Sequence, residues 1–90
     1  MTEHHLSING ESVLLCLCEM GPERYGDAGP VDSVIRVDSS LTGKEFMNTL
    51  LHEMLQVAVP MGSEGWVTEV ADNFANVLYH PVIKKKAGFS

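Results

Sequence analysis

The spacing of apolar residues changes once along this chain, at about Thr42, and that change constrains the fold more than any other feature. Before it, short apolar and β-branched segments separated by turn residues indicate strands. After it, apolar residues recur three and four positions apart, which indicates helices. This order predicts the α+β class: a small antiparallel three-stranded sheet followed by two helices, in the order β-β-β-α-α.

The strand half of the chain contains three predicted strands. The Asn-Gly pair at residues 9–10 is a hairpin signal because both residues tolerate positive φ, so it joins residues 4–8 to residues 11–20. The second of these strands is apolar on both faces, which predicts a covered, central position. Residues 21–30 contain three glycines and two prolines and are expected to be loop. Residues 32–39 are short and β-branched and are expected to form the third strand.

The helical half contains two predicted helices. Thr42 and Glu45 fit a capping box for the first helix, which is expected to run to about Ala58, before a proline. Ser63 is expected to cap the second helix, with Glu64 in its first turn, where the helix dipole favours an acid. The second helix would end near residue 80. Its apolar spacing predicts a core-facing stripe of Val67, Val70, Ala71, Phe74, Val77 and Leu78.

The length and charge of the chain exclude several classes of protein. Ninety residues predict one domain, residues 1–90, with flexible ends at residues 1–4 and 83–90. The formal net charge of −6 argues against nucleic-acid binding, which uses a basic face. The apolar runs are far shorter than the ~20 residues of a membrane span, and we expect no signal peptide. Cys16 and Cys18 are expected to be reduced, in a cytoplasmic protein.

Residues 49–56 (Thr-Leu-Leu-His-Glu-Met-Leu-Gln) differ from the zinc-hydrolase motif His-Glu-x-x-His at one position. In that motif two histidines one helical turn apart bind zinc, and the glutamate acts as the general base. His52 and Gln56 are one turn apart here, with Glu53 beside them. A His-Glu pair on a helix is more often part of an ordinary polar face, and this alternative stays open.

The elements around this motif resemble the minimal gluzincin-type zinc metallopeptidase domains of phage and bacterial proteins. The resemblance covers residues 25–80. It lies in the strand at residues 34–38 (Val-Ile-Arg-Val-Asp), the motif helix, and a second-helix segment at residues 69–75 (Glu-Val-Ala-Asp-Asn-Phe-Ala). The resemblance therefore implies a metallopeptidase-like scaffold.

Carried over residue by residue, the resemblance implies that His52 is the first zinc ligand, Glu53 the general base and Glu69 the third ligand. Gln56 stands where the family has its second histidine. Because its amide oxygen is a much poorer zinc ligand than imidazole, we expect zinc binding to be weak. Asp72 is the fallback ligand if the register is shifted by one turn, and a merely solvated Glu69 is an equal alternative.

Two aromatic residues are further candidates for binding. Tyr25, in the glycine-rich loop, either lines a substrate cleft or pins the loop. Trp66, just after the N-cap of the second helix, is more often a residue packed over a helix junction than a binding residue.

The incomplete ligand set favours a degenerate, catalytically inactive metallopeptidase-like domain that acts as a small phage or prophage protein-binding or inhibitory module. One alternative is an active zinc hydrolase that uses His52, Glu53 and Glu69. Another is a structural or assembly module without metal. The expected partner is a protein rather than a nucleic acid or a membrane, and an open sheet edge would allow a homodimer. The expected location is the cytoplasm, of the bacterial host if the chain is phage-encoded.

Overall fold

The computed structural model describes residues 2–20, 26–29 and 34–88, which form one mixed sheet and three helices. The strands are β1 (Thr2–Ile8), β2 (Glu11–Cys18), β3 (Gly26–Gly29) and β4 (Val34–Asp38), and the helices are α1 (Gly43–Ala58), α2 (Glu64–Leu78) and α3 (Pro81–Ala87). The strand order is β1-β2-β4-β3. The α+β class, with a sheet followed by helices, is confirmed.

The sheet of the described residues differs from the prediction in two ways: it has an additional strand, and two of its strands run parallel. β3 lies inside the segment expected to be loop and pairs antiparallel with β4, so the sheet has four strands rather than three. Because β3 reverses the chain between β2 and β4, those two strands run parallel, with Leu15 opposite Ile35. The sequence of β3, Gly-Asp-Ala-Gly, carries no apolar alternation, and its pairing with β4 alone defines it.

The predicted hairpin between β1 and β2 is present. Asn9 and Gly10 have φ angles of 52° and 79°, as a two-residue hairpin turn requires. The Nδ2 of Asn9 also donates to the carbonyl oxygen of Ala58 at 3.2 Å, which ties the turn to the end of α1. β2 lies between β1 and β4, so its predicted central position is confirmed.

The core lies between one face of the sheet and α1. The buried sheet residues of this core are Ile8, Val13, Leu15, Ile35 and Val37. Half-buried residues packed against them from α1 are Phe46, Leu50, Met54, Val57 and Ala58. α1 ends at the predicted residue, but the capping box is wrong because the side chain of Thr42 makes no capping hydrogen bond. Gly43, the first residue of α1, has a positive φ of 59°.

α2 packs on α1 and contacts no strand among the described residues, so the layers are sheet, α1 and α2. Ser63 caps α2 as predicted, accepting a hydrogen bond from the backbone N–H of Trp66 at 3.1 Å. The buried residues of α2 are Val67, Ala71 and Ala75. Phe74 and Val77, predicted to be core, are 50% and 58% exposed, because α1 alone covers only a narrow arc of α2.

Residues near both ends of the described chain form secondary structure. Residues 2–4 pair with β2, and α3 occupies most of the segment expected to be a tail. α3 begins at Pro81, which suits a first helical position because its missing N–H would have no partner there. The Nδ1 of His80 accepts a hydrogen bond from the N–H of Val82 at 3.3 Å. Within the described segments, no helix has the length and apolar character that crossing a bilayer requires.

Candidate functional site

His52 and Gln56 of α1 meet Glu64 of α2 in a hydrogen-bonded group, the His52 cluster. The Nε2 of His52 lies 2.9 Å from the Oε1 of Glu64. The Nε2 of Gln56 donates to the Oε2 of Glu64 at 3.0 Å and lies 3.2 Å from the Nε2 of His52. The predicted placement of His52 and Gln56 one turn apart on one face is confirmed, since both reach the same carboxylate.

The Nε2 of His52 has two hydrogen-bonding neighbours, and the tautomer of the ring decides which contact it makes. Because a carboxylate oxygen only accepts hydrogen bonds, the 2.9 Å contact with Glu64 is a hydrogen bond in the tautomer that carries its hydrogen on Nε2. In the other tautomer, the Nε2 of His52 accepts from the Nε2 of Gln56 at 3.2 Å. The side chains of His52 and Glu64 are 22% and 72% exposed, so water screens their interaction and keeps it modest in strength.

Glu53 lies on a different side of α1 from the His52 cluster. It is the one polar residue of the described part that is buried, at 6% exposure. Its Cγ faces β3, where a Cβ built on Gly26 would lie 3.2 Å from it. Neighbouring residues of a helix point about 100° apart, so Glu53 faces β3 while His52 faces α2.

The acid that contacts His52 is Glu64 rather than Glu69. Glu69 is exposed on α2 and lies about 140° around the helix from Glu64, so the two carboxylates cannot face His52 together. Asp72 instead accepts a hydrogen bond from the Nδ2 of Asn48 at 2.7 Å, which joins the two helices about one turn from His52.

Sequence reasoning gave Glu64 only a role at the helix dipole and missed its contact with His52. The available signal was the short connection between the two helices, which makes them antiparallel neighbours. In that arrangement the first turn of α2 must lie beside the last turns of α1. Glu64 is therefore close to His52 because of chain connectivity, which the motif spacing does not contain.

The donor atoms at the His52 cluster do not fit a zinc site. They comprise one imidazole, one carboxylate and one amide, whereas zinc sites use three or four nitrogen, sulfur or carboxylate donors. No group of three or more His, Cys, Asp or Glu side chains within residues 2–20, 26–29 and 34–88 could hold a metal ion. The zinc ligand set of His52, Gln56 and Glu69 stays a prediction.

The two aromatic candidates have different outcomes. The ring of Trp66 packs over the helix junction, where a Cβ on Gly62 would lie 2.9 Å from its Cε3, and the side chain remains 43% exposed. Tyr25 lies outside the described residues. Trp66 therefore contributes both to the junction and to the surface.

The two cysteines are free thiols, as expected. Cys16 is buried, and Cys18 is partly buried on the same face of β2. Burial raises the pKa of the Cys16 thiol, and its hydrogen bond with Cys18 raises it further. The thiol of Cys16 is therefore held in its neutral form.

Comparison with known proteins gives no match: no family model fits the sequence, and neither a curated protein nor a solved structure matches it. The resemblance to gluzincin-type metallopeptidases accordingly stays a prediction.

Proposed function

We propose that this chain is a catalytically inactive, protein-binding domain on a scaffold that resembles a zinc metallopeptidase. The observation that carries the proposal is the His52 cluster. Gln56, in place of a second histidine, donates to Glu64, and the Nε2 of His52 is bound to the same carboxylate. The cluster joins α1 to α2, and its one imidazole, one carboxylate and one amide are fewer good ligands than the three or four that zinc sites use.

The position of Glu53 supports the inactive state. A general base in this class must lie within hydrogen-bond reach of the attacking water, or one water away. Glu53 is 6% exposed and packs against Gly26, and its Oε2 is buried from solvent. The glutamate therefore acts in the packing between β3 and α1.

The apolar residues left exposed on the helices support protein binding. Contiguous exposed apolar surface on a small domain marks interaction sites more often than chance exposure does. Large exposed residues of α2 and α3 are Trp66, Phe74, Val77, Val82 and Ile83. The net charge of −6 makes a nucleic-acid partner unfavourable.

Zinc titration by calorimetry tests the scaffold and the inactivity together. We expect the wild-type chain to bind zinc no tighter than about 1 µM, because its donor set is incomplete. We expect Gln56→His to bind at least about tenfold tighter, since an imidazole then replaces the amide beside His52. Submicromolar, stoichiometric zinc binding by the wild type, with peptide hydrolysis, would overturn the proposal.

A second pair of variants shows whether Glu64 or Glu69 supplies the carboxylate that binds zinc. In the Gln56→His background, Glu64→Gln should reduce the regained zinc affinity by about tenfold or more, whereas Glu69→Gln should leave it unchanged. Loss of affinity with Glu69→Gln alone would mean that Glu69 is the ligand, as the resemblance implies. If Gln56→His fails to bind zinc at all, the metallopeptidase-like scaffold is rejected and only the protein-binding part of the proposal stands.

A further inference from the structure

An apolar stripe runs along the outer side of α2, beside the arc that α1 covers. Its members follow helical spacing and are half-buried or exposed: Trp66, Val70, Phe74 and Val77. We call this set the α2 stripe. Phe74 and Val77 are 50% and 58% exposed, and no strand or helix of the described residues packs over them. The apolar exposure continues along the chain into α3, at Val82 and Ile83.

The two ends of the α2 stripe carry opposite charges. Glu64, which contacts His52 but keeps 72% of its side chain exposed, lies in the first turn of α2, and Glu69 lies exposed about one turn later. Beyond the end of the stripe, α3 carries three consecutive lysines in its last turn: Lys84, Lys85 and Lys86. A partner that covers the stripe and matches its charges must therefore be basic at one end and acidic at the other.

We propose that the α2 stripe is the interface of a homodimer in which the α2 helices of two copies pack antiparallel about a twofold axis. In this arrangement, the acidic start of each α2 lies beside the lysines of the other copy's α3. A parallel arrangement would place like charges together. A twofold interface needs only one self-complementary surface, and the polarity of the stripe makes it self-complementary. This inference rests on the protein-binding part of the proposed function, whose partner it names as a second copy of the chain.

The exposed apolar area fits such an interface. At roughly 150–250 Å² for a large apolar side chain, the exposed fractions of the stripe and of α3 leave about 450 Å² of apolar surface per copy. A standard interface covers about 800 Å² per partner, of which about 56–65% is apolar. The apolar core of a dimer of ordinary size is therefore available, with the charged residues at its rim.

Sedimentation equilibrium from about 1 µM to about 1 mM protein tests the dimer. We expect the wild type to dimerise within this range and Phe74→Glu to weaken dimerisation at least about tenfold, because it places a charge in the apolar centre. The matched control is Thr68→Glu, which adds the same charge to an exposed position of α2 about 160° around the helix from Trp66 and on the opposite side from Val77. It should dimerise like the wild type. Circular dichroism checks that both variants retain the helices.

A charge exchange tests the antiparallel orientation. Glu69→Lys and the double variant Lys85→Glu/Lys86→Glu should each weaken their own homodimer, because each brings like charges together. An equimolar mixture of the two should form a heterodimer with wild-type affinity, since both ends are again opposite in charge. A wild type that stays monomeric to about 1 mM, or equal effects of Phe74→Glu and Thr68→Glu, would overturn the dimer. A mixture that does not recover would overturn the antiparallel arrangement, and a monomeric chain that binds lipid vesicles through Phe74 would assign the stripe to a membrane surface instead.

Discussion

Gly26→Ala should destabilise the protein, because β3 approaches α1 too closely at this position for any side chain. A Cβ on Gly26 would lie 2.9 Å from the Cγ2 of Thr49, 3.1 Å from the carbonyl oxygen of Arg36 and 3.2 Å from the Cγ of Glu53. Carbon atoms in contact prefer a separation of about 3.5–4.0 Å. The oxygen of Arg36 belongs to the backbone of β4 and cannot move away easily, and the β-branched Thr49 has only two favoured χ1 rotamers in a helix.

The expected size of the effect follows from two opposing terms. Overpacking of this kind costs about 1–3 kcal/mol, and the alanine recovers about 0.4–1 kcal/mol by restricting the unfolded chain. The net loss is about 1–2 kcal/mol. For a domain of this size that loss lowers Tm by about 5–15 °C. The main consequence for the site is that Glu53, packed at the same place, would lose its close contact with β3.

Urea unfolding and a thermal scan measure the effect, and a second glycine provides the control. Gly65 is in the first turn of α2, where a Cβ would meet nothing within 4 Å. Gly65→Ala should therefore stabilise the protein by about 0.5–1 kcal/mol. Thr49→Ser, which removes the nearest methyl group, should recover part of the loss in a Gly26→Ala background. If Gly26→Ala raises Tm as Gly65→Ala does, the close contact between β3 and α1 is refuted.

Two further predictions concern capping and pH. Ser63→Ala should lower the free energy of unfolding by about 1 kcal/mol, because the Ser63 hydroxyl caps the N–H of Trp66 at 3.1 Å. Thr42→Ala should lower it clearly less, because Thr42 makes no side-chain cap hydrogen bond. Urea midpoints lowered equally by the two substitutions would contradict this. For Cys16, a raised pKa means that the folded chain keeps a proton that the unfolded chain loses above about pH 8.5. Stability should therefore be full below that pH and fall as the pH rises further. Urea midpoints at pH 8 and pH 10 should show a smaller fall in Cys16→Ala than in the wild type.

The sequence predicts the parts of the fold that depend on local patterns. The Asn9-Gly10 turn, the central β2 and the end of α1 follow from turn preferences, apolar runs and the proline after α1. β3 could not be predicted, because Gly-Asp-Ala-Gly has no strand pattern and forms a strand only by pairing with β4. The parallel direction of β4 depends on β3 and was therefore missed as well.

At the site, too, the contacts within one helix could be predicted from the sequence, whereas the contacts between helices could not. His52 and Gln56 are neighbours on one helix face by spacing alone, and that prediction is confirmed. The partner from α2 depends on which arc of α2 faces α1, and the family pattern favoured Glu69 where the packing brings Glu64. The spacing of apolar residues along α2 likewise could not show which of them pack against α1 and which lie on the exposed α2 stripe. The apolar arc of α2 is wider than one neighbouring helix can cover.

The polar contacts between α1 and α2 explain why Phe74 stays exposed. Burying its exposed half would gain about 2–3 kcal/mol at ~25 cal/mol per Å², so some interaction must oppose rotation of α2 toward α1. Such a rotation would break the contacts of Glu64 with His52 and the bond between Asn48 and Asp72, each worth about 0.5–1.5 kcal/mol. It would also expose Val67, now 1% exposed. Together these losses exceed the gain, so the His52 cluster helps to fix the rotation of α2 that presents the α2 stripe to solvent. The residues that resemble a catalytic motif therefore help to set the rotation of α2 against α1. The α2 stripe that this rotation leaves exposed is the surface that a second copy of the chain can bury.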